Sequence, residues 1–129
     1  MPRPDFPDSH YRGHQAHSVL GPEQLAAVTG LFGVLSEASR LQILQQLGDG
    51  PAGVGELVRK LEMKQANVSK QLGILLTAGI IARKRDGNRI IYFIDMPLVF
   101  DLCNLVCRGM AKHAAKRAAT LAKGTKSRH

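Results

Sequence analysis

Long apolar runs are missing from this chain of 129 residues. No stretch approaches the roughly 18 to 20 apolar residues that a helix needs to cross a bilayer, and the opening MPRPDFPDSHYRGHQAHS has no apolar core of a signal peptide. We therefore expect a cytoplasmic protein without a membrane partner. The sequence has only two cysteines, Cys103 and Cys107, and both are expected to be thiols because reducing compartments seldom keep structural disulfides.

Patterns on which catalysis depends are also missing. The chain has no Ser-His-Asp grouping, phosphate-binding glycine loop or paired carboxylates, and its length leaves room for one modest core and no second catalytic domain. The two cysteines lie in an apolar stripe, which would raise their pKa values rather than activate them. We therefore expect no enzyme activity and no cofactor.

Acidic residues are scarce relative to basic ones, since 18 Lys and Arg against 10 Asp and Glu give a formal net charge of +8. Seven of the basic residues lie in residues 108–129, which contain no acid. A second basic zone covers residues 59–89, with eight basic residues against two acidic ones. This distribution favours a polyanionic partner.

Apolar spacing predicts a mainly helical chain. Apolar residues recur three and four positions apart in four segments, and a longer fifth helix follows Met96, with Pro97 in its first turn and Gly124 at its end. Ser36 is placed to cap the second helix, and the GDGPAG run to end it. The first four predicted helices cover residues 21–36, 37–47, 54–63 and 65–76.

The fourth predicted helix, QANVSKQLGILL, has one apolar side formed by Val68, Leu72, Leu75 and Leu76. Its other side carries amides, a hydroxyl, one cation and no acid, whereas a helix that only had to be soluble would normally carry Glu and Lys pairs there. Such a surface can approach a groove of DNA closely and offer hydrogen bonds to base edges. The residues of this side and its edges are Gln65, Ala66, Asn67, Ser69, Lys70, Gln71 and Gly73.

A hairpin is predicted directly after this helix. Two β-prone runs, residues 80–85 and 89–94, flank Asp86-Gly87, which is a strong signal for a two-residue turn. The arms and tip of the hairpin carry positive charge that suits contacts with phosphates. The side chains concerned are Arg83, Lys84, Arg85, Asn88 and Arg89.

This order of elements is that of a winged helix-turn-helix, mainly α with a two-stranded β-hairpin wing. The segments LSEASRLQILQQL, VGELVRKL, QANVSKQLGILLTAGII and RKRDGNRIIYFI resemble the ArsR/SmtB family of bacterial transcriptional regulators, over roughly residues 25–107. The resemblance implies a homodimer, built largely from the first and last helices, that binds a palindromic operator in double-stranded DNA. It also implies a nucleoid-associated repressor that releases DNA when an inducer arrives.

By the same resemblance, residues 65–76 form the recognition helix in the major groove and residues 83–89 the wing on the flanking backbone. The sequence departs from the family at Lys64, where a Ser often caps the recognition helix. A lost cap costs about 0.5 to 2 kcal/mol, so either Asn67 and the backbone compensate or the helix tightens on DNA. Lys64 itself is either a phosphate contact or simply exposed.

We expect specificity from Lys70 and Gln65, and phosphate affinity from Arg85 and Arg89. The expected DNA contacts are Lys64, Gln65, Asn67, Ser69, Lys70, Gln71, Arg83, Arg85, Asn88 and Arg89.

The metal sites known in the family find no match in this sequence. One is a Cys-x-Cys after the Glu-Leu of the third helix, and here Val58, Arg59 and Lys60 follow Glu56-Leu57. The other begins with an Asp-x-His at the start of the last helix, where this chain offers Met96-Pro97-Leu98, and a frame shifted to Asp101-x-Cys103 fails as well. We therefore expect no zinc or nickel site of the family's type.

Cys103 and Cys107 are four residues apart, so both thiols lie on one face of the last helix, where two-fold pairing would gather four sulfurs. Two interpretations stay open: the cysteines simply pack as small apolar residues, or they form a thiol switch. A switch could respond to an oxidant, reactive sulfur or a thiophilic ion such as arsenite. A mutual disulfide is poorly placed, because the two Cα atoms are about 6 Å apart with diverging Cβ directions. An intersubunit bond or a bridging ligand is easier.

The two ends of the chain differ in composition from the middle. Residues 1–20 are predicted to be a mobile arm, residues 21–123 the DNA-binding and dimerisation domain, and residues 124–129 a basic tail. The tail is either solvated or adds sequence-blind affinity for DNA. Two interpretations of His10, His14 and His17 in the arm stay open. The three side chains form a metal-binding face of a helix, or they are imidazoles of a mobile arm with no common role.

Two alternatives to an inducible thiol-based repressor stay open. One is a regulator with no thiol inducer, and the other is a sequence-tolerant DNA-architectural protein in which charge alone provides binding. A regulator should prefer its operator over random DNA by about 10³ or more, whereas an architectural protein should not.

Overall fold

A computed structural model describes residues 19–126, with side chains described up to Lys123. Within this range the elements are α1 Pro22–Leu35, α2 Ala38–Gly48, α3 Val54–Leu61, α4 Gln65–Thr77, β1 Ile81–Asp86, β2 Arg89–Ile94 and α5 Pro97–Lys126. The predicted helical architecture with a two-stranded hairpin is confirmed. Predictions for residues 1–18 and 127–129, including the three histidines of the arm, lie outside the described residues. None of the described helices is both long and apolar enough to span a bilayer.

The core lies where α2, α3 and α4 meet. Each of these helices repeats apolar residues three or four positions apart, so each has one side that leaves water when the three pack together. Ile43 of α2, Leu57 of α3 and Leu75 of α4 are completely buried at the centre. The remaining core residues are Leu35, Leu44, Leu47, Ala52, Val68, Leu72, Ile80, Ile81, Tyr92 and Val99.

The hairpin is fixed to the rest of the fold at its base and along one edge. At its base, the carbonyl of Ile80 accepts hydrogen bonds from the backbone N–H groups of Asp95 and Met96. On its outer edge, Ala52 and Tyr92 exchange two backbone hydrogen bonds of 3.1 and 2.9 Å, so the loop between α2 and α3 adds a short third pairing. The wing is therefore held in a defined position relative to α3 and α4.

The cap of α2 and the hairpin turn differ from those predicted. Glu37, not Ser36, caps α2, since its carboxylate accepts from the N–H of Arg40, while Ser36 ends α1. The hairpin turn is Gly87-Asn88, one residue later than predicted, because Asp86 pairs with Arg89 and Gly87 takes a φ of 63°. This is the positive φ that favours Gly at the first central position of a tight hairpin turn.

The last helix also runs further than predicted. α5 continues to Lys126, past the Gly124 that was expected to end it. A glycine inside a helix costs only roughly 0.5 to 1 kcal/mol relative to Ala, which a helix of 30 residues tolerates.

Part of the apolar surface of α1 and α5 is not covered by any of the described residues. Phe32 of α1 is 54% exposed, and Leu105 and Met110 of α5 are 64% and 61% exposed. Only the beginning of α5 packs against the core, through Val99, Leu102 and Cys103. An exposed apolar surface of this kind typically marks an interaction site.

Candidate nucleic-acid interface and the cysteine pair

The exposed side of α4 is polar and free of acidic residues. Gln65, Ser69 and Lys70 are exposed there, because Val68 and Leu72 turn the opposite side of the helix into the core. Within the described part of the chain, the side chains of these three polar residues make no hydrogen bond or ion pair. Their donors and acceptors are free to meet another molecule.

Gln71, which the sequence predicts as a DNA contact, does not belong to this exposed surface. Only 5% of the residue is exposed. Its Oε1 accepts a hydrogen bond of 2.9 Å from Nη1 of Arg40, and its Nε2 donates one of 2.9 Å to Oδ1 of Asn67. With both ends of its amide engaged inside the protein, Gln71 supports the helix and is not available to a base.

The beginning of α4 lacks a side-chain cap, as the sequence predicts. Lys64 occupies the N-cap position with an exposed side chain that makes no capping hydrogen bond. Asn67 does not compensate, because its Oδ1 accepts from Gln71 and its Nδ2 lies 3.9 Å from the sulfur of Met63. The first N–H groups of α4 are therefore open, and such groups favour an anion such as a phosphate.

The cations of the wing divide between its two faces. Residues directly opposite in an antiparallel pair share a face, and successive residues alternate. Arg83 pairs with Tyr92 and Arg85 with Ile90, so both arginines lie on the same face, while Arg89 lies on the other. All three are exposed, as is Asn88 at the tip. The sequence-based prediction does not distinguish the two faces on which these cations lie.

Arg89 is paired inside the chain. Its guanidinium donates to the carboxylate of Glu56, near the start of α3. This hydrogen bond lowers the pKa of the Glu56 carboxyl below its ordinary value. Sequence reasoning missed Glu56 as part of the site, and it offers no local signal, since the two residues are 33 positions apart.

Cys103 and Cys107 line a narrow cleft between α5 and α2. Its wall on α2 is formed by Leu44 and Gln45, and Phe100 of α5 also lines it. Cys103 is half-buried and Cys107 is exposed. Burial raises the pKa of the Cys103 thiol, and the neighbouring thiol group of Cys107 adds to this. The sequence-based expectation of a raised pKa therefore holds for Cys103.

In residues 19–126, no three His, Cys, Asp or Glu side chains come close enough together to hold a metal ion. The polar face of α4, the wing and the cysteine cleft are the candidate surfaces for a ligand.

A helix with a small polar face, a buried apolar side and an adjacent basic hairpin defines a winged helix-turn-helix DNA-binding protein. The model for bacterial regulatory proteins of the ArsR family matches residues 38–83, from the start of α2 into β1. The uncharacterised HTH-type transcriptional regulator Rv0081 of Mycobacterium tuberculosis is 35% identical over 91 residues, which are 70% of this chain and 80% of that protein. The chain belongs to the ArsR family, as its sequence motifs predicted, and it is a DNA-binding transcriptional regulator and not an enzyme.

Solved structures agree with this fold. The crystal structure of Rv0081 superposes with a TM-score of 0.66 at 31% identity, covering 77% of this chain and 99% of that one. The antimony-specific transcriptional repressor AntR gives 0.72 at 28% identity, with 81% and 95% covered. The homodimeric DNA-binding domain of Mb0332 from Mycobacterium bovis gives 0.65 at 29% identity, with 70% and 83% covered.

Proposed function

We propose that this regulator is a homodimeric repressor that binds a palindromic operator and releases it when an inducer acts on α5. The observation that carries the proposal is the exposed, acid-free side of α4, which lies beside a basic hairpin fixed to the same core. In this arrangement α4 enters the major groove and the wing follows the flanking phosphates. Gln65 and Lys70 contact bases, while Ser69, Asn67 and Lys64 complete the surface.

Phosphate affinity in this proposal comes chiefly from one face of the wing. Arg83 and Arg85 share that face and have no ion pair within the described chain. Arg89 contributes less than its charge suggests, because Glu56 already neutralises it. Asn88 at the tip adds a neutral contact to the backbone.

Dimerisation through α1 and α5 is supported by the apolar side chains that these helices leave exposed. Leu25 and Phe32 of α1, and Leu105 and Val106 of α5, are each at least half exposed. A second copy of the chain would cover them in a two-fold arrangement. Two recognition helices related by that axis then read two half-sites of opposite orientation, which is what a palindrome offers.

The cysteine cleft is the proposed site of induction. Modification of Cys103 or Cys107 by an oxidant, reactive sulfur or a thiophilic ion adds volume or charge between α2 and α5. Because α2 also packs against α4, a displacement of α5 can reach the recognition helices. Cys107 is the easier target, since it is exposed.

A second candidate is a repressor whose cysteines only pack and whose inducer acts elsewhere. The raised pKa of Cys103 favours it, since thiolates and not thiols are the reactive form.

One binding experiment separates the two candidates. The full chain is incubated with DNA from upstream of its own gene at fixed salt, either reduced or after treatment with peroxide, polysulfide, arsenite or zinc. The same series is repeated with Cys103→Ser/Cys107→Ser. Release of DNA only from the unmutated protein identifies a thiol sensor, whereas equal binding in all samples identifies packing cysteines.

Random DNA in the same assay tests for a regulator. A preference for the upstream DNA of about 10³ or more supports an operator-binding protein. Equal affinity for both DNAs, falling alike with salt, would indicate sequence-tolerant architectural binding instead.

A further inference from the structure

A series of hydrogen bonds links the end of α1, through α2, to the recognition helix. Nε of Arg40 donates to the carbonyl of Val34 at 2.5 Å, and its Nη1 donates to Oε1 of Gln71 at 2.9 Å. Nε2 of Gln71 donates to Oδ1 of Asn67 at 2.9 Å. The contacts therefore end at a half-buried residue in the first turns of α4, on the border of its exposed side.

The chemistry of Arg40 fixes the donor and the acceptor of each hydrogen bond in this series. A guanidinium has only donors, so the atom of Gln71 that faces it must be the amide oxygen. The NH₂ group of Gln71 then faces Asn67, and the atom of Asn67 that receives it must again be the oxygen. Reversing either amide would bring two donors face to face, and Gln71 is too deeply buried for water to relieve that.

The amide of Asn67 is consequently left with a defined polarity. Its oxygen points inward to Gln71, and its NH₂ group has only the sulfur of Met63, at 3.9 Å, as a weak acceptor within the described chain. The usual recognition of adenine by Asn needs both groups, with the oxygen accepting from N6 and the NH₂ donating to N7. Here the oxygen is turned toward Gln71, so the NH₂ group is the part of the amide that is left for DNA.

We propose that Arg40, acting through Gln71, fixes Asn67 as a hydrogen-bond donor toward DNA, so that Asn67 favours a base that presents an acceptor. Such bases are guanine through N7 and O6, or thymine through O4. Arg40 is a positioning residue that does not touch DNA. This inference rests on the proposed function, in which α4 lies in the major groove.

Gln71→Glu is the variant that reverses the polarity with little change in shape. The introduced carboxylate still accepts from Arg40, but it has no proton to donate to Asn67. The amide of Asn67 must then turn over, donate to the carboxylate and present its oxygen outward. A base that presents a donor, through adenine N6 or cytosine N4, becomes the better partner.

The test is selection of preferred sequences from a random duplex DNA library, followed by affinity measurements with every base substituted in turn. At one position of each half-site, Gln71→Glu should change the preferred base from an acceptor-bearing to a donor-bearing one, by about tenfold. Asn67→Ala should abolish the preference at that position in both backgrounds. Gln71→Met, which keeps the volume but accepts and donates nothing, should lose the preference without acquiring a new one.

Arg40→Met should relax the same position while leaving the salt dependence of binding unchanged, because no phosphate contact is lost. Arg40→Lys keeps one donor for Gln71 and should restore part of the preference. Circular dichroism and thermal unfolding of each variant show whether the fold is intact.

The outcomes distinguish failure of this inference from failure of the proposed function on which it rests. If the wild-type protein selects no sequence at all, the proposed operator binding fails and this inference fails with it. If the wild-type protein selects a palindrome but Gln71→Glu leaves every base preference in place, only the polarity of Asn67 is overturned. The same holds if Asn67→Ala changes no base preference.

Discussion

The recognition helix α4 and the last helix α5 each carry an apolar side, but the chain treats the two sides differently. In α4, Val68, Leu72 and Leu75 are at most 1% exposed, because α2 and α3 pack over them. In α5, only the first turns reach the core, and Leu105 remains 64% exposed. The exposed side of α4 is thus supported within one chain, whereas α5 presents apolar side chains that the described residues leave uncovered.

This difference matches the different tasks of α4 and α5 in the proposed function. A helix that reads DNA needs a fixed position, which buried side chains and the contacts of Arg40 and Gln71 provide. In the proposed function, α5 assembles a dimer and responds to an inducer, and this requires a surface that is stabilised only in the assembly. The cleft with Cys103 and Cys107 lies where the two regions meet, between α2 and α5.

The largest effect is expected from a charge on the apolar side of α5. Leu105→Glu should prevent dimerisation, because the carboxylate would have to be buried without a partner. A monomer engages one half-site at a time, so operator affinity should fall by about 10²- to 10⁴-fold. Sedimentation and DNA titration at equal protein concentration measure both effects.

Ala114→Glu is the matched control for Leu105→Glu. At about 100° per residue, Ala114 lies on the opposite side of the helix from Leu105, and it is exposed. It adds the same charge and should leave the dimer intact. A dimer of undiminished affinity in Leu105→Glu would show that this side of α5 is not the interface.

A cavity on the buried side of α4 should lower stability in a different way from a cavity on the exposed side of α5. Leu72 is 1% exposed, so Leu72→Ala should lower the free energy of unfolding by about 2 to 5 kcal/mol. Chemical denaturation at several protein concentrations measures this loss. Leu105→Ala should instead change mainly how stability depends on protein concentration, since it weakens association. Equal, concentration-independent losses in both variants would contradict the distinction between the two helices.

The two cysteines should differ in reactivity. Cys103 is half-buried and its pKa is raised by burial, so at pH 8 it should alkylate more slowly than the exposed Cys107, by on the order of tenfold. The gap should narrow as the pH rises toward the pKa of Cys103, where its thiolate forms. Timed alkylation followed by mass spectrometry measures both rates. In denaturant the two rates should converge, and similar rates in the folded protein would refute the difference in burial.

Removing the acid that pairs with Arg89 of the wing should have the smallest effect. Glu56→Gln frees Arg89 from its ion pair, so affinity should rise a few-fold for all DNA sequences and the salt dependence should steepen by about one unit of slope. Glu23→Gln changes the same charge on α1, away from the wing, and should have little effect. A gain confined to one base position would mean that Glu56 controls base recognition rather than the charge of the wing.

Local patterns allowed much of this fold to be predicted. Repeats of three and four residues located the helices, and the β-prone runs around Asp86-Gly87 located the wing to within one residue of its turn. The family followed from motifs that each lie within one element or a short turn. In all of these cases the information lies in neighbouring residues, where backbone geometry relates spacing directly to a face of a helix or strand.

Two predicted DNA contacts have partners within the chain that the sequence does not reveal. Gln71 lies beside the apolar side of α4, where spacing alone allows either exposure or burial. Arg40, 31 positions earlier in α2, decides the matter by donating to its oxygen. Arg89 belongs to a cationic run by sequence, yet Glu56 from α3 pairs with it.

Local sequence patterns were enough to predict the elements, their order, the family and the two cysteines on one face of α5. The packing of distant elements was needed to show that Gln71 is a buried support, that Arg89 is already neutralised and that Cys103 faces a cleft on α2. The physical reason is that periodicity fixes which side of an element is apolar, whereas a polar side chain at the edge of that side takes its role from its partner. Those partners come from elements distant in sequence, and only packing brings them within hydrogen-bond distance.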